Sequence, residues 1–204
     1  MGEVRKRRFG DRSDGRRLRT LDPINAMIPF IMKTRNDASN LFSDSVEISE
    51  TERYLRAKRL GGYPGMGMLH LFVATYIRTA SEYPGINRFV SGQRLFARER
   101  IVFVLAIKKE MRADAPETTI KINFELTDTI FDVYYKLNEE VERVKNEHVN
   151  TDTDAFANAL IKLPRLILRS LIRLLEFMDY FGIMPKAIIK ASPFHGSLII
   201  TDLG

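Results

Sequence analysis

Three histidines, His70, His148 and His195, are the imidazoles of this 204-residue chain, and they stand far apart. None falls into a His-x-x-x-His or His-Glu-x-x-His spacing, so a zinc site is not expected. The chain has no cysteine, which removes disulfides, thiolate metal sites and a cysteine nucleophile. His70 lies in an apolar helical stretch and reads as a satisfied core histidine; His148 lies in a polar loop and reads as solvated. Gly61-Gly-Tyr-Pro-Gly-Met-Gly67 precedes a helix, but it lacks the Lys-Ser/Thr of a P-loop and the Gly-x-Gly-x-x-Gly spacing after a strand. It reads as a plain loop. Arg165, Arg169 and Arg173 recur every four residues and form one basic stripe. That stripe is either a solvated helix face or a contact for an acidic subunit or a coenzyme phosphate.

Charge is concentrated at the N-terminus. Residues 1–20 hold eight of the 32 basic groups and three of the 26 acids, so the other 184 residues are nearly neutral. A surface basic all over, as on a dedicated duplex-binding domain, is thereby disfavoured. Residues 1–22 are expected to form a basic arm or a loosely docked lead-in. A flexible or subunit-clasping tail is the favoured role, and attachment to RNA, DNA or an anionic membrane is the alternative. The composition, 45% hydrophobic and 28% charged, suits a globular fold. The greasiest stretch, 155–181, is interrupted by Lys162, Arg165, Arg169, Arg173 and Glu176 and is too charged to span a membrane. No apolar run follows the basic start, so no secretory signal is read and the cytoplasm is the expected compartment.

The elements follow from periodicity and punctuation. Residues 26–34 read as a β-type apolar run with Pro29 at an edge, and 45–48 as a strand end. Ser49 with Glu52 makes a capping box that opens a helix to about Leu60. Met66 to about Ser81 reads as a buried helix with almost no polar face, closed by Tyr83-Pro84-Gly85. Residues 88–90 and 94–96 form a hairpin across Ser91-Gly92-Gln93. Residues 101–108 are apolar on both faces, hence a central strand, and 118–125 alternate as a half-exposed one. Thr127 or Asp128 caps an amphipathic helix through Val144. A helical hairpin covers 155–181, with Pro164 in the first turn of its second half and Gly182 as its stop. A final strand runs over 197–202. The pattern is one α+β domain.

Three stretches in this order resemble the chloramphenicol acetyltransferase-like fold, shared by chloramphenicol acetyltransferases and the catalytic domains of 2-oxo acid dehydrogenase (dihydrolipoyl) acyltransferases. They are Met27-Ile-Pro-Phe-Ile-Met with the following segment to Glu50, the helix closing on Glu82-Tyr-Pro-Gly-Ile-Asn87, and Ser192-Pro-Phe194 with Ser197-Leu-Ile-Ile-Thr-Asp-Leu-Gly204. The likeness spans residue 25 to the end, which gives an acyltransferase-like domain over 23–204. It implies a mixed sheet with packed helices, a homotrimer with sites between subunits, and coenzyme A as the acyl-thioester substrate. Acyl transfer to a hydroxyl or thiol acceptor would follow, with other subunits of an acyltransferase complex as partners. No metal is implied, and no lipoyl attachment site is seen.

The resemblance assigns Thr201, just before Asp202-Leu203-Gly204, the hydroxyl that donates to the tetrahedral oxyanion. Its other reading is a strand threonine of ordinary β-propensity. His195 is the histidine nearest that strand and could line the acyl pocket. With no carboxylate spaced to orient it, His195 also reads as a loop histidine without a catalytic role. The family's general base sits in a His-x-x-x-Asp-Gly box that does not occur in these 204 residues. Two expectations follow: an acyltransferase cut short before that box, or a non-catalytic trimeric scaffold of the same fold. A polyanion-binding protein acting through its arginine-rich arm is the third reading.

Overall fold

The computed structural model describes residues 7–32, 34, 38–108, 117–146, 160 and 162–201, with backbone alone at 108, 117–118, 145–146 and 201. It is an α+β architecture of two three-stranded sheets with helices packed on them. His148, the polar loop Val149–Asp154 and the first half of the expected helical hairpin lie outside the described residues.

The first sheet joins β1 (Gly15–Arg17), β3 (Arg94–Arg98) and β2 (Arg88–Ser91) in that order, all antiparallel. The β2–β3 turn places Gly92 and Gln93 at φ of 53° and 57°, the doubly left-handed turn that matches strand twist. Part of the basic lead-in is therefore docked, because β1 pairs Gly15 with Arg98 and Arg17 with Phe96. Gly15 permits this closeness: a Cβ there would stand 2.6 Å from the Phe89 ring and 2.8 Å from the Ala97 carbonyl oxygen.

The second sheet is the structural centre. Its order is β5 (Glu117–Phe124), β4 (Ile101–Lys108), β6 (Leu198–Thr201), with β4–β5 antiparallel and β4–β6 parallel. The strand expected to be central is central. One face carries Phe103, Leu105, Ile120, Ile122 and Phe124, all buried. Against it pack α3 (Met68–Glu82), through Val73, Ile77 and Ala80, and α4 (Ile130–Asn146), through Val133, Leu137 and Val144. Their three- and four-residue spacing is what one buried helix face requires. Met68 and Phe72 are exposed, so α3 buries one stripe rather than its whole circumference.

Several expectations change. Residues 23–31 form a helix, α1 (Pro23–Ile31), rather than a strand. The Asp22 carboxylate accepts from the Asn25 N–H at 3.2 Å, and Pro23 occupies the first turn, where its missing N–H costs nothing. This capping outweighs a β-like composition. Residues 45–48 form no strand. The helix α2 (Ser49–Leu60) starts one residue earlier than a Ser49 cap would have it: Ile48 is the cap, and Ser49 gives its N–H to Glu47 Oε1 at 2.9 Å. In α4 the capping box falls on Thr129 and Asp132, whose side chain and backbone bonds are reciprocal. Pro164 is the cap of α5 (Arg165–Tyr180) rather than its first residue. Gly182, at φ 72°, closes α5 as expected, with the Ile183 N–H on the Met178 carbonyl and the Gly182 N–H on that of Asp179. A short helix, α6 (Lys186–Ala191), was not anticipated.

Candidate functional site

The second face of the central sheet differs from the first. Strand alternation that buries Ile120, Ile122 and Phe124 sends Lys121 and Asn123 the other way. There, with Val102, they floor a cavity of about 410 Å³. Its remaining walls are Ser13 and Asp14 from the turn before β1, Arg98, Glu99 and Arg100 from the β3–β4 corner, Lys186, Ile189 and Lys190 of α6, and His195.

Two devices hold α6 and the following turn over this face. Lys121 donates from Nζ to the Ile189 carbonyl at 2.8 Å. Ser197 exchanges bonds with β4, giving its N–H to the Val102 carbonyl at 2.7 Å and accepting the Val102 N–H on its hydroxyl at 3.0 Å. Gly196 lets the turn lie close, since a Cβ there would stand 2.5 Å from Val104 Cγ2.

His195 is the wall residue with the most defined partners. Its Nε2 lies 3.3 Å from Asp179 Oδ1 and its Nδ1 3.0 Å from the Ser192 hydroxyl. An ionised carboxylate only accepts, so Nε2 carries a proton, while Nδ1 is held by the Ser192 hydroxyl. A carboxylate therefore does orient His195, which corrects the reading of an unoriented loop histidine. It lies 16 residues upstream, across the α5–α6 connection.

Asp179 is fixed in turn by Arg12, which is almost wholly buried. Arg12 donates to Asp179 Oδ1, the Asp179 carbonyl and the Ser91 hydroxyl at 2.7 Å each, and from Nε to Asp14 Oδ1 at 3.0 Å. Ser91 passes its own proton to the same Asp179 carbonyl at 2.7 Å. The guanidinium carbon also sits 5.5 Å from the centre of the Phe89 ring. Burial alone would raise the Asp179 carboxyl, but its bonds from His195 and Arg12 hold it below the usual carboxylate range. The chain Arg12–Asp179–His195–Ser192 thus ties the lead-in, the hairpin, the end of α5 and the cavity wall together.

The remaining residues singled out by sequence sort as follows. The Thr201 backbone pairs with Ala106 in β6, three residues and about 10 Å of strand past Leu198, itself beyond His195. The two candidate residues are thus set at opposite ends of the β6 segment. His70 accepts the Gly67 N–H on Nδ1 at 3.1 Å and meets Asn138 Oδ1 through Nε2 at 3.2 Å; burial pushes its pKa down, so it is neutral. The loop 61–67 is pinned by donors to its carbonyls, Tyr134 to Pro64 at 2.8 Å and Arg59 to Met66 at 2.6 Å. Arg165, Arg169 and Arg173 are exposed along α5. Among the described residues no three metal-ligating side chains gather, and no helix is long and apolar enough to cross a membrane.

Sequence reasoning missed Arg12, Asp179, Ser192, Arg98 and Lys121. The alternation of 118–125 already put Lys121 and Asn123 on one face. The others meet only through the fold.

A scan against protein-family models gives no match, and a search of curated proteins gives none. Among solved structures, a probable dihydrolipoamide acetyltransferase from Listeria monocytogenes 4b F2365 aligns at 14% identity and a TM-score of 0.46. The alignment covers 67% of this chain and 59% of that one.

Proposed function

We propose that this chain handles the acyl group in a coenzyme A-dependent acyl transfer to a hydroxyl or thiol acceptor. The observation that carries the reading is His195: an imidazole fixed between the Asp179 carboxylate and the Ser192 hydroxyl, on the wall of a cavity lined with cations. Acyl transfer asks for a proton acceptor near neutrality and for positive charge where the carbonyl oxygen becomes an oxyanion. The three stretches that resemble acyltransferase catalytic domains point to the same chemistry. Thr201 is the proposed oxyanion donor, and a homotrimer is the proposed assembly. Since both ring nitrogens of His195 are occupied, it acts on substrate by way of Ser192 or after releasing it.

The test is release of free coenzyme A from acetyl-coenzyme A, with thiol and hydroxyl acceptors, by the full coding sequence. His195→Ala is expected to lower turnover by about 10² to 10⁴. Unchanged turnover would remove this cavity from the reaction.

A second reading, a non-catalytic trimeric scaffold, draws on the exposed apolar side of α1, where Met27, Phe30 and Ile31 face solvent. It predicts a trimer by light scattering with no thioester turnover at all.

A further inference from the structure

Arg98 is the oddest side chain in the molecule. It is 6% exposed, its guanidinium carbon lies 4.3 Å over the Phe89 ring, and it lines the cavity. Yet among the described residues nothing accepts a hydrogen bond from it. Asp14 Oδ2 lies 3.9 Å from it, too far for a bond, and Asp179 acts on it from further away. The other oxygen, Asp14 Oδ1, is taken by Arg12 Nε, and Oδ2 is itself buried without a hydrogen-bond partner. A guanidinium carries five N–H donors, and those of Arg98 open toward the cavity.

The neighbouring cation is Lys121. It donates to the Ile189 carbonyl oxygen, and among the described residues it forms no ion pair within 4 Å, Asp14 acting on it only from a distance. Burial, then the like charge of Arg98, pull its pKa down to about 8. The groups around it are Arg98 and Asp14 from the first sheet, Glu99 and Arg100 at the corner, Lys186 and Lys190 on α6, and His195. Of the acids, Asp14 is paired with Arg12 through Oδ1 only, its Oδ2 being buried without a hydrogen-bond partner 3.9 Å from Arg98, and Glu99 is on the exposed corner. Five cations, Arg98, Arg100, Lys121, Lys186 and Lys190, against these two carboxylates leave the cavity lining net positive.

We infer that this cavity is a receptor for a small oxyanion, a carboxylate or phosphate group, seated between Arg98 and Lys121. The bound anion accepts from Arg98 and Lys121, and its charge favours the protonated form of Lys121. The chemistry has two sources: a terminal carboxylate on an acyl group or acceptor, or a phosphate of a nucleotide-bearing cofactor. Recognition of the anion does not rest on acyl transfer.

Isothermal calorimetry on the full chain with three probes, succinate, inorganic phosphate and adenosine 3′,5′-bisphosphate, tests it. Binding by any of them is expected to be tighter below pH 8 than above. Titrations at pH 8 in buffers of differing ionisation enthalpy should show net proton uptake on succinate binding, the direction that a lysine with a lowered pKa requires. Lys121→Gln keeps a donor for the Ile189 carbonyl; it should lose the proton uptake and at least tenfold in affinity. Arg98→Lys retains charge without the planar fork and should weaken binding at unchanged proton uptake. Succinate binding alone assigns the site to a carboxylate of the acyl group or acceptor, and bisphosphate binding alone assigns it to the cofactor. Failure of all three probes to bind at 10 mM, a concentration about a thousandfold above tight cofactor affinities, overturns the inference. So does binding that Lys121→Gln leaves intact. Either result can coexist with thioester turnover, so this inference and the acyl-transfer reading fail separately.

Discussion

Lys121 and Ile122 are consecutive residues of β5, and the pleat sends them to opposite faces of one sheet. Ile122 enters the apolar core with Phe103, Phe124, Val73 and Val133. Lys121 enters a space bounded by Arg98, Asn123, Lys186 and His195, where its Nζ donates to the Ile189 carbonyl. The first face is closed by two long helices with matched apolar stripes. The second is closed by a six-residue helix, a turn and an N-terminal segment, all fastened by polar bonds. Hydrophobic burial is non-directional and fills whatever it covers, whereas a lid built from discrete hydrogen bonds can stand over a void. The difference locates the structural work on one side of the sheet and the capacity for chemistry on the other.

The comparison can be broken by exchanging the two characters. Ile122→Lys places an unpaired ammonium in the apolar core and should cost more than about 4 kcal/mol, enough to abolish the cooperative transition in urea unfolding. A folded, cooperative Ile122→Lys protein would show that the first face is wet after all. Arg12→Gln leaves Asp179 half-buried with its bond to His195 but without the guanidinium that donates to it. It should cost about 2–3 kcal/mol, less than a fully buried pair because Asp179 is one-third exposed. Chemical denaturation measures the cost, and a disturbed His195–Asp179 contact should appear as changed imidazole nitrogen chemical shifts by NMR. A cost below about 0.5 kcal/mol would mean that the lead-in adds nothing to the second face.

Lys121→Ile is the mildest exchange and the sharpest in sign. The folded-state pKa of Lys121 is lowered from 10.5 to about 8, so between those values the unfolded chain binds more protons and wild-type stability rises with pH. Below pH 8 the penalty for the buried charge is fully present. The variant should therefore match or exceed wild type at pH 7, within about 1 kcal/mol, and lose that advantage as pH approaches 10.5. A variant that is less stable at pH 7 than at pH 10, relative to wild type, would reverse the assignment.

Much of this arrangement was legible before any coordinates. The hairpin at 88–98, the central strand 101–108, the alternating strand 118–125 and the closing glycine Gly182 are local signals, and local signals read correctly. Residues 26–34 misled because Ile, Met and Phe carry no clear period there, while the decisive evidence, Asp22-Pro23, lay outside the run. The six-residue α6 is too short to show a period at all. The site was less visible still. Arg12, Ser91, Asp179 and His195 come from four parts of the chain, and no spacing announces their meeting. The basic lead-in is a case of composition describing only half its content: eight charges suggested an attractant, yet Arg12 spends its donors inside the molecule.

The bond between Arg12 and Asp179 spans 167 residues, and this has a consequence in time. Closing so long a loop costs about 4–5 kcal/mol in chain entropy before the bond returns anything. The β2–β3 hairpin, by contrast, closes over two residues in microseconds. At about 5–20 residues per second, a ribosome delivers Asp179 roughly 8–30 s after Arg12. For that interval the guanidinium waits in water while the hairpin and β4–β5 assemble. The N-terminal segment, though the first to be made and able to pair through β1 with β3, cannot complete its Arg12 bonds until the end of α5 has been delivered.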